Sequence, residues 1–254
     1  MIGVLVVMAS CAGAVSAPAA CGAEPVPLSL HTPNVLLVGD SISALSSGYL
    51  GQLERVLSPG LATVQHVSTG ALTSSADAVQ CIDSWLGNRK WDVVVIAIGL
   101  GDCRPTNTTD TDNVSKSASS DAGSTFLANL KQIVAAAEAS SGPVAVPVIY
   151  ATATPFDTST VHSVSASCVK ANNQAARAAM PAMQAATAGA RCPTDRVADL
   201  ELAVEQYCTA LPDGIRACRI QNDGSLLFNT TDSRPSGLYV VHRALRTAMH
   251  RKRG

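Results

Sequence analysis

The sequence predicts a doubly wound α/β domain on a mostly parallel sheet of about five strands. Three observations lead there. Short β-branched runs alternate with longer stretches whose apolar residues recur at helical spacing, the order expected when helices cross over between parallel strands. One run, Trp91 to Ile98 (WDVVVIAI), has no polar residue after Asp92, which suits a strand covered on both faces in the middle of a sheet. The chain has 254 residues, 47% apolar and 15% charged, enough for one sizeable core.

The first 23 residues, MIGVLVVMASCAGAVSAPAACGA, differ in kind from the rest: they are small and apolar, without a Lys or Arg. They are expected to form a secretory leader, with small residues at Ala17 and Ala19, or at Cys21 and Ala23, offering two cut sites. The segment is too short and too rich in Ala and Gly for a membrane anchor, so no stable membrane insertion is expected. Residues 24–254 then form a single domain.

Within that domain, Val35 to Val38 is a continuous apolar strand. A helix from Tyr49 to Leu57 follows, with Leu50, Leu53, Val56 and Leu57 on one stripe. Ala62 to Val67 is a second strand ending at Ser68-Thr69-Gly70, and Ala76 to Leu86 reads as helix. The Trp91 to Ile98 strand is stopped by Gly99. A polar insertion at about 104–124 is long enough to be functional or disordered. Next come a helix from Phe126 to Ala139, with Leu127, Leu130, Ile133 and Val134 on its apolar face, and a strand from Val144 to Tyr150. Pro147 points to an outer position or a bulge for that strand, because proline cannot donate to a ladder. A helix from Cys168 to Ala188 should kink or split at Pro181. Val197 to Leu200 is a short edge strand, and Gly237 to Met249 returns to helix.

A net charge of −1 argues against nucleic acid as a partner. The basic end, Arg243, Arg246 and Arg251-Lys252-Arg253, reads as a solvated helix terminus. A cut after Ala23 leaves Cys81, Cys103, Cys168, Cys192, Cys208 and Cys218, an even set suited to three disulfides in an oxidising compartment; an earlier cut adds Cys21 as a seventh. The sequons at Asn107, Asn113 and Asn229 fit an exported chain. There is no C-x-x-C, G-x-G-x-x-G, P-loop or G-x-S-x-G motif and no evident metal-ligand cluster, so neither a cofactor nor a metal is expected.

In such sheets ligands bind outside the carboxyl ends of the strands. The stretch Asn34 to Ser43, NVLLVGDSIS, ends a buried strand on Gly39-Asp40-Ser41, so Ser41 stands where strand hands over to helix at that rim. Serine and aspartate are also ordinary N-cap residues, which is the plain alternative.

Taken together, these residues resemble the SGNH/GDSL hydrolases. Gly39-Asp40-Ser41 is similar to their first block, Gly70 to the glycine of the second, and Gly99-Leu100-Gly101-Asp102 stands where the third has Gly-x-Asn-Asp. A secreted subgroup shows further likenesses: GDSIS, then Gly48-Tyr49, Trp85-Leu86-Gly87, Trp91-Asp92-Val93, Thr152 to Pro155 and Asp199-Leu200. The resemblance implies a three-layer α/β/α, flavodoxin-like fold and a serine esterase acting on a small-molecule or glycan ester. It also implies Ser41 as nucleophile, with the Ser41 and Gly70 amides in the oxyanion hole.

Two departures stand beside it. Gly101 occupies the asparagine position and offers only its backbone. The closing Asp-x-x-His pair has no counterpart along Phe228 to Val241, where Arg234 or Leu227 falls at the base position, and arginine cannot take a proton. Among the five histidines, His162, in the loop after the Thr152 to Pro155 motif, is on the side of the sheet to serve as base, a plain surface residue being the alternative. His66 reads as a satisfied core histidine, and His242 as a helix residue facing packing or solvent. Asp40 and Asp102 supply carboxylates near the serine. A crevice that only binds a glycan or acyl ligand, or a scaffold kept for interaction alone, are the other function classes.

Overall fold

A computed structural model of the chain describes residues 21, 27–30, 32–39, 62–69, 73–104, 121–140, 146–153, 164–185, 197–199 and 201–202. Five parallel strands form one sheet: β1 (Asn34–Gly39), β2 (Thr63–Val67), β3 (Val93–Ala97), β4 (Val148–Ala151) and β5 (Val197–Ala198). Their spatial order is β2-β1-β3-β4-β5. Helix α1 (Ser75–Leu86) lies between β2 and β3 in the chain, α2 (Asp121–Ala139) between β3 and β4, and α3 (Ala166–Ala185) between β4 and β5. This is the three-layer α/β arrangement expected from the sequence.

The core follows from the apolar runs. β1, β3 and β4 are buried along their whole length, as continuous Val/Ile/Leu strands should be when both faces are covered. β3, from the WDVVVIAI run, is the middle strand of the five. Helix α1 starts at a capping box in which Ser74 accepts from the Asp77 amide and Asp77 accepts from the Ser74 amide. It ends at Gly87, whose φ of 54° favours glycine. Its inner face buries Ala78, Cys81, Ile82, Trp85 and Leu86 against the sheet. Each large side chain buried this way contributes about 1.5–3 kcal/mol.

Several expectations need correction. Helix α2 begins at Asp121, five residues before Phe126, because its first turn is polar and shows no apolar period. Helix α3 runs through Pro181 without ending there; Ala176 and Met180, both fully buried, hold the turns before it against the core. Pro147 precedes β4 rather than bulging it, and its carbonyl accepts the Val94 amide at 3.0 Å, a role that needs no N–H. β4 accordingly lies between β3 and β5, not on the outside. β5 is the edge strand expected, though only Val197–Ala198 are paired.

Two disulfides join the described residues, Cys21–Cys81 and Cys103–Cys168, with Cα separations of 5.2 and 5.5 Å. The first includes Cys21, which a cut after Ala19 would keep and a cut after Ala23 would remove. Cys21 is 2% exposed and belongs to the main core cluster. The helices Tyr49–Leu57 and Gly237–Met249, Cys192, Cys208 and Cys218, the three sequons and most of the polar insertion lie outside the described residues. Among those described, no helix is long and apolar enough to cross a membrane.

Candidate functional site

The strand order places the site. From β1 the chain turns to one side to make β2, then returns past β1 to make β3, so the switch point lies between β1 and β3. Open α/β sheets bind ligands at this point, outside the carboxyl ends of the strands. β1 ends there at Gly39, in register with Ala97 of β3, while its neighbour Val38 pairs with Val67 of β2. Gly39 is two residues short of Ser41. Ser41, Asp40, Gly70 and His162 themselves lie outside the described residues; Gly101 lies within them.

The loops that flank this point are held firmly. After β2, the Thr69 amide donates to Thr73 Oγ1 at 3.2 Å and the two threonine hydroxyls meet at 2.9 Å. Thr73 is fully buried. After β3, Gly99 has φ 127°, and a Cβ there would lie 3.3 Å from the Phe126 ring and 3.5 Å from the Tyr150 hydroxyl, so glycine is needed on both counts. A 3₁₀ turn, Gly101–Cys103, follows and leaves Gly101 partly exposed.

Asp102 ties the turn after β3 to the start of α1. Its carboxylate accepts the Ser75 amide at 2.8 Å and the Ser75 hydroxyl at 2.5 Å, at the first turn of α1. Asn129 of α2 donates to the same hydroxyl at 2.9 Å. An anionic acceptor suits the unpaired amides and positive end of a helix N-terminus. Burial pushes the Asp102 carboxyl above the usual range; the Ser75 hydrogen bonds offset part of this and the nearby Asp77 charge adds to it. Both of its oxygens are thus engaged with Ser75.

Two further ties hold the turn from the other side. The Cys103–Cys168 disulfide pins it to α3, and the Cys103 carbonyl accepts the Ser165 amide at 3.0 Å. Asn172, 1% exposed, donates to the Gly99 carbonyl at 3.3 Å. Nothing in the sequence marked Thr73, Ser75, Asn129 or Asn172, because their partners in the adjoining elements are set by the fold. The capping motif Ser74-x-x-Asp77 was the one available local signal for the start of α1.

Farther along the rim, at the ends of β4 and β5, polar groups are paired off. Arg177 grips Asp199 with two bonds of 2.6 Å and reaches Glu201 at 2.7 Å. Asn173 bonds both the Ala153 amide and carbonyl, and Thr152 donates to Asp199. Burial pushes the Asp199 carboxyl up, but Arg177, the Leu202 amide and Thr152 outweigh it and hold it below the usual range. Asp199 is thereby held as a paired carboxylate. His66, on β2 opposite Leu37, is lowered to about 4 by burial, and its Nε2 is buried without a partner among the described residues. It is therefore a neutral, unsatisfied histidine rather than the satisfied one expected. No group of three His, Cys, Asp or Glu suited to a metal occurs among the described residues.

Two tied loops beside a strand end can present backbone N–H groups to a developing oxyanion. The sequence matches no family model, and no curated protein matches it either. Solved structures do match in fold. The chain is similar to the lipase/acylhydrolase from Enterococcus faecalis at 19% identity and TM-score 0.55, over 87% of this chain and 97% of that one. It is similar to an α/β hydrolase from the metagenome of Lake Arreo, Spain (13%, TM-score 0.56, 87% and 96%), and to the acetyl xylan esterase AlAXEase (14%, TM-score 0.54, 85% and 98%). The chain shares the three-layer α/β fold of these structures, the fold that the resemblance implied.

Proposed function

We propose that this chain is a secreted SGNH/GDSL-type serine hydrolase that cleaves acyl or acetyl esters, with esters on carbohydrate as its substrate class. One observation supports the reading: beside the end of β1, Asp102 ties the turn after β3 to Ser75 at the start of α1, the helix that follows β2. That is the arrangement an oxyanion hole needs around a serine presented from β1. The fold shared with an acylhydrolase and an acetyl xylan esterase supports the reaction class. Two disulfides support an oxidising compartment.

In this reading Ser41 Oγ attacks the ester carbonyl carbon and passes its proton to a base, for which His162 is the candidate. The oxyanion is met by the Ser41, Gly70 and Gly101 amides. Collapse expels the alcohol, which takes up the proton, and water then hydrolyses the acyl-serine. Without the usual asparagine side chain, the hole lacks a donor worth roughly 2.7–4 kcal/mol.

That same residue, Gly101, favours a second reading: a relative of impaired activity that binds a glycan or acyl ligand in the crevice. Hydrolysis of p-nitrophenyl acetate, compared with Ser41→Ala, decides between them. The proposal expects a rate that the substitution abolishes; equal rates end the esterase reading.

A further inference from the structure

We infer that the leader is cut on the N-terminal side of Cys21, by hydrolysis of the Ala19–Ala20 peptide bond, so that Cys21 stays with the working protein. This rests on the secretory reading above and not on catalysis.

The sequence leaves two cut sites open, after Ala19 and after Ala23. Only the first keeps Cys21. The structure builds that residue into the domain through three separate groups. Its sulfur is bonded to Cys81, in the middle of α1. Its carbonyl accepts the indole N–H of Trp85, one turn farther along the same helix, at 3.1 Å. Its side chain is 2% exposed and packs in the main core cluster with Ile82, Trp85 and Leu86, while Leu28 lies against the same cluster.

Removal with a leader would therefore leave three defects in one place. Cys81, itself 2% exposed, would keep a buried thiol with no partner here, and the buried Trp85 N–H would lose its acceptor. The packing over α1 would open as well. A segment discarded during export has no reason to be built into the core in this way. Small residues at Ala17 and Ala19 meet the requirement of the processing enzyme, the proton and hydroxyl of one water completing the new amine and carboxylate.

Cysteine parity supplies a second readout. The processed chain keeps seven of its eight cysteines, losing only Cys11. Cys21–Cys81 and Cys103–Cys168 use four. The remaining three, Cys192, Cys208 and Cys218, leave at least one without a partner in the same chain.

The full chain with its own leader, expressed in a secreting host, is purified from the medium for N-terminal sequencing and peptide mapping without reduction. The expected result is an N-terminus at Ala20 and a peptide containing Cys21 crosslinked to the one containing Cys81. An N-terminus at Glu24, or Cys81 found free or bonded elsewhere, overturns the inference while leaving secretion intact. Protein retained in the cell with Met1 uncut overturns the secretory reading and the inference with it. Activity measured on the same material bears on neither.

Discussion

Replacing Asp102 by alanine removes the side chain that ties the turn after β3 to Ser75 at the start of α1. Two bonds from Ser75 to a charged acceptor are lost, each worth about 1.5–3 kcal/mol. Ser75 is fully buried, so its amide is left without that acceptor or access to water. Against this, the raised Asp102 pKa shows that burying the carboxylate is costly, and the substitution relieves that cost. The net loss is roughly 2–3 kcal/mol, which for a domain of this size lowers Tm by about 5–10 °C. Asp102→Asn keeps one acceptor and sheds the charge, so it should fall between wild type and alanine. Thermal unfolding followed by circular dichroism, for Asp102→Ala, Ser75→Ala and the double variant, measures the tie directly. A coupling of about 1–3 kcal/mol is expected for a shared bond. Additive effects, or an Asp102→Ala Tm within about 1 °C of wild type, would refute the claim that this contact ties the turn after β3 to α1.

Other substitutions probe other parts. Gly101→Asn restores a side-chain donor on a turn of helical backbone and should raise p-nitrophenyl acetate hydrolysis by about tenfold or more, toward the hundred- to thousandfold that one such donor is worth; an unchanged rate would mean that the turn does not face the oxyanion. Gly99→Ala places a Cβ against Phe126 at φ 127°, and a loss of about 1–3 kcal/mol is expected in urea unfolding. Cys21→Ser should cost about 2–4 kcal/mol by the same measurement, a result equal to wild type meaning that the Cys21–Cys81 bond does not stabilise the domain. His66 resists protonation when folded, so the unfolded chain takes up more protons between pH 6.5 and about 4. Stability should fall as pH drops through that window, by at most roughly 3 kcal/mol, and His66→Leu should flatten the profile.

How far the sequence could be read depended on where the determining contacts lie. Strands β1 and β3 were legible to within a residue or two because a strand buried on both faces is a continuous apolar run, a local property. Helix α1 was legible from its apolar face, and Ser74-x-x-Asp77 marks its start. The polar first turn of α2 has no such period and was missed. Pro147 misled because a proline rule describes the backbone alone, whereas the acceptor role of its carbonyl decided the outcome; Pro181 does not split α3. Around the candidate site, the ties between elements were not readable. Ser75 with Asp102 and Asn172 with Gly99 are separated by 27 and 73 residues, and only the fold brings each pair together.

The central proposal is that Ser41, two residues beyond the end of β1 in the sequence, is an activated nucleophile. A fluorophosphonate probe reacts with such a serine and spares an unactivated one. Incubating the secreted protein with the probe and mapping the adduct by peptide mass spectrometry should find one phosphonylated site, Ser41, absent from Ser41→Ala. Intact protein that takes up no probe, or carries it on another residue, would contradict the account.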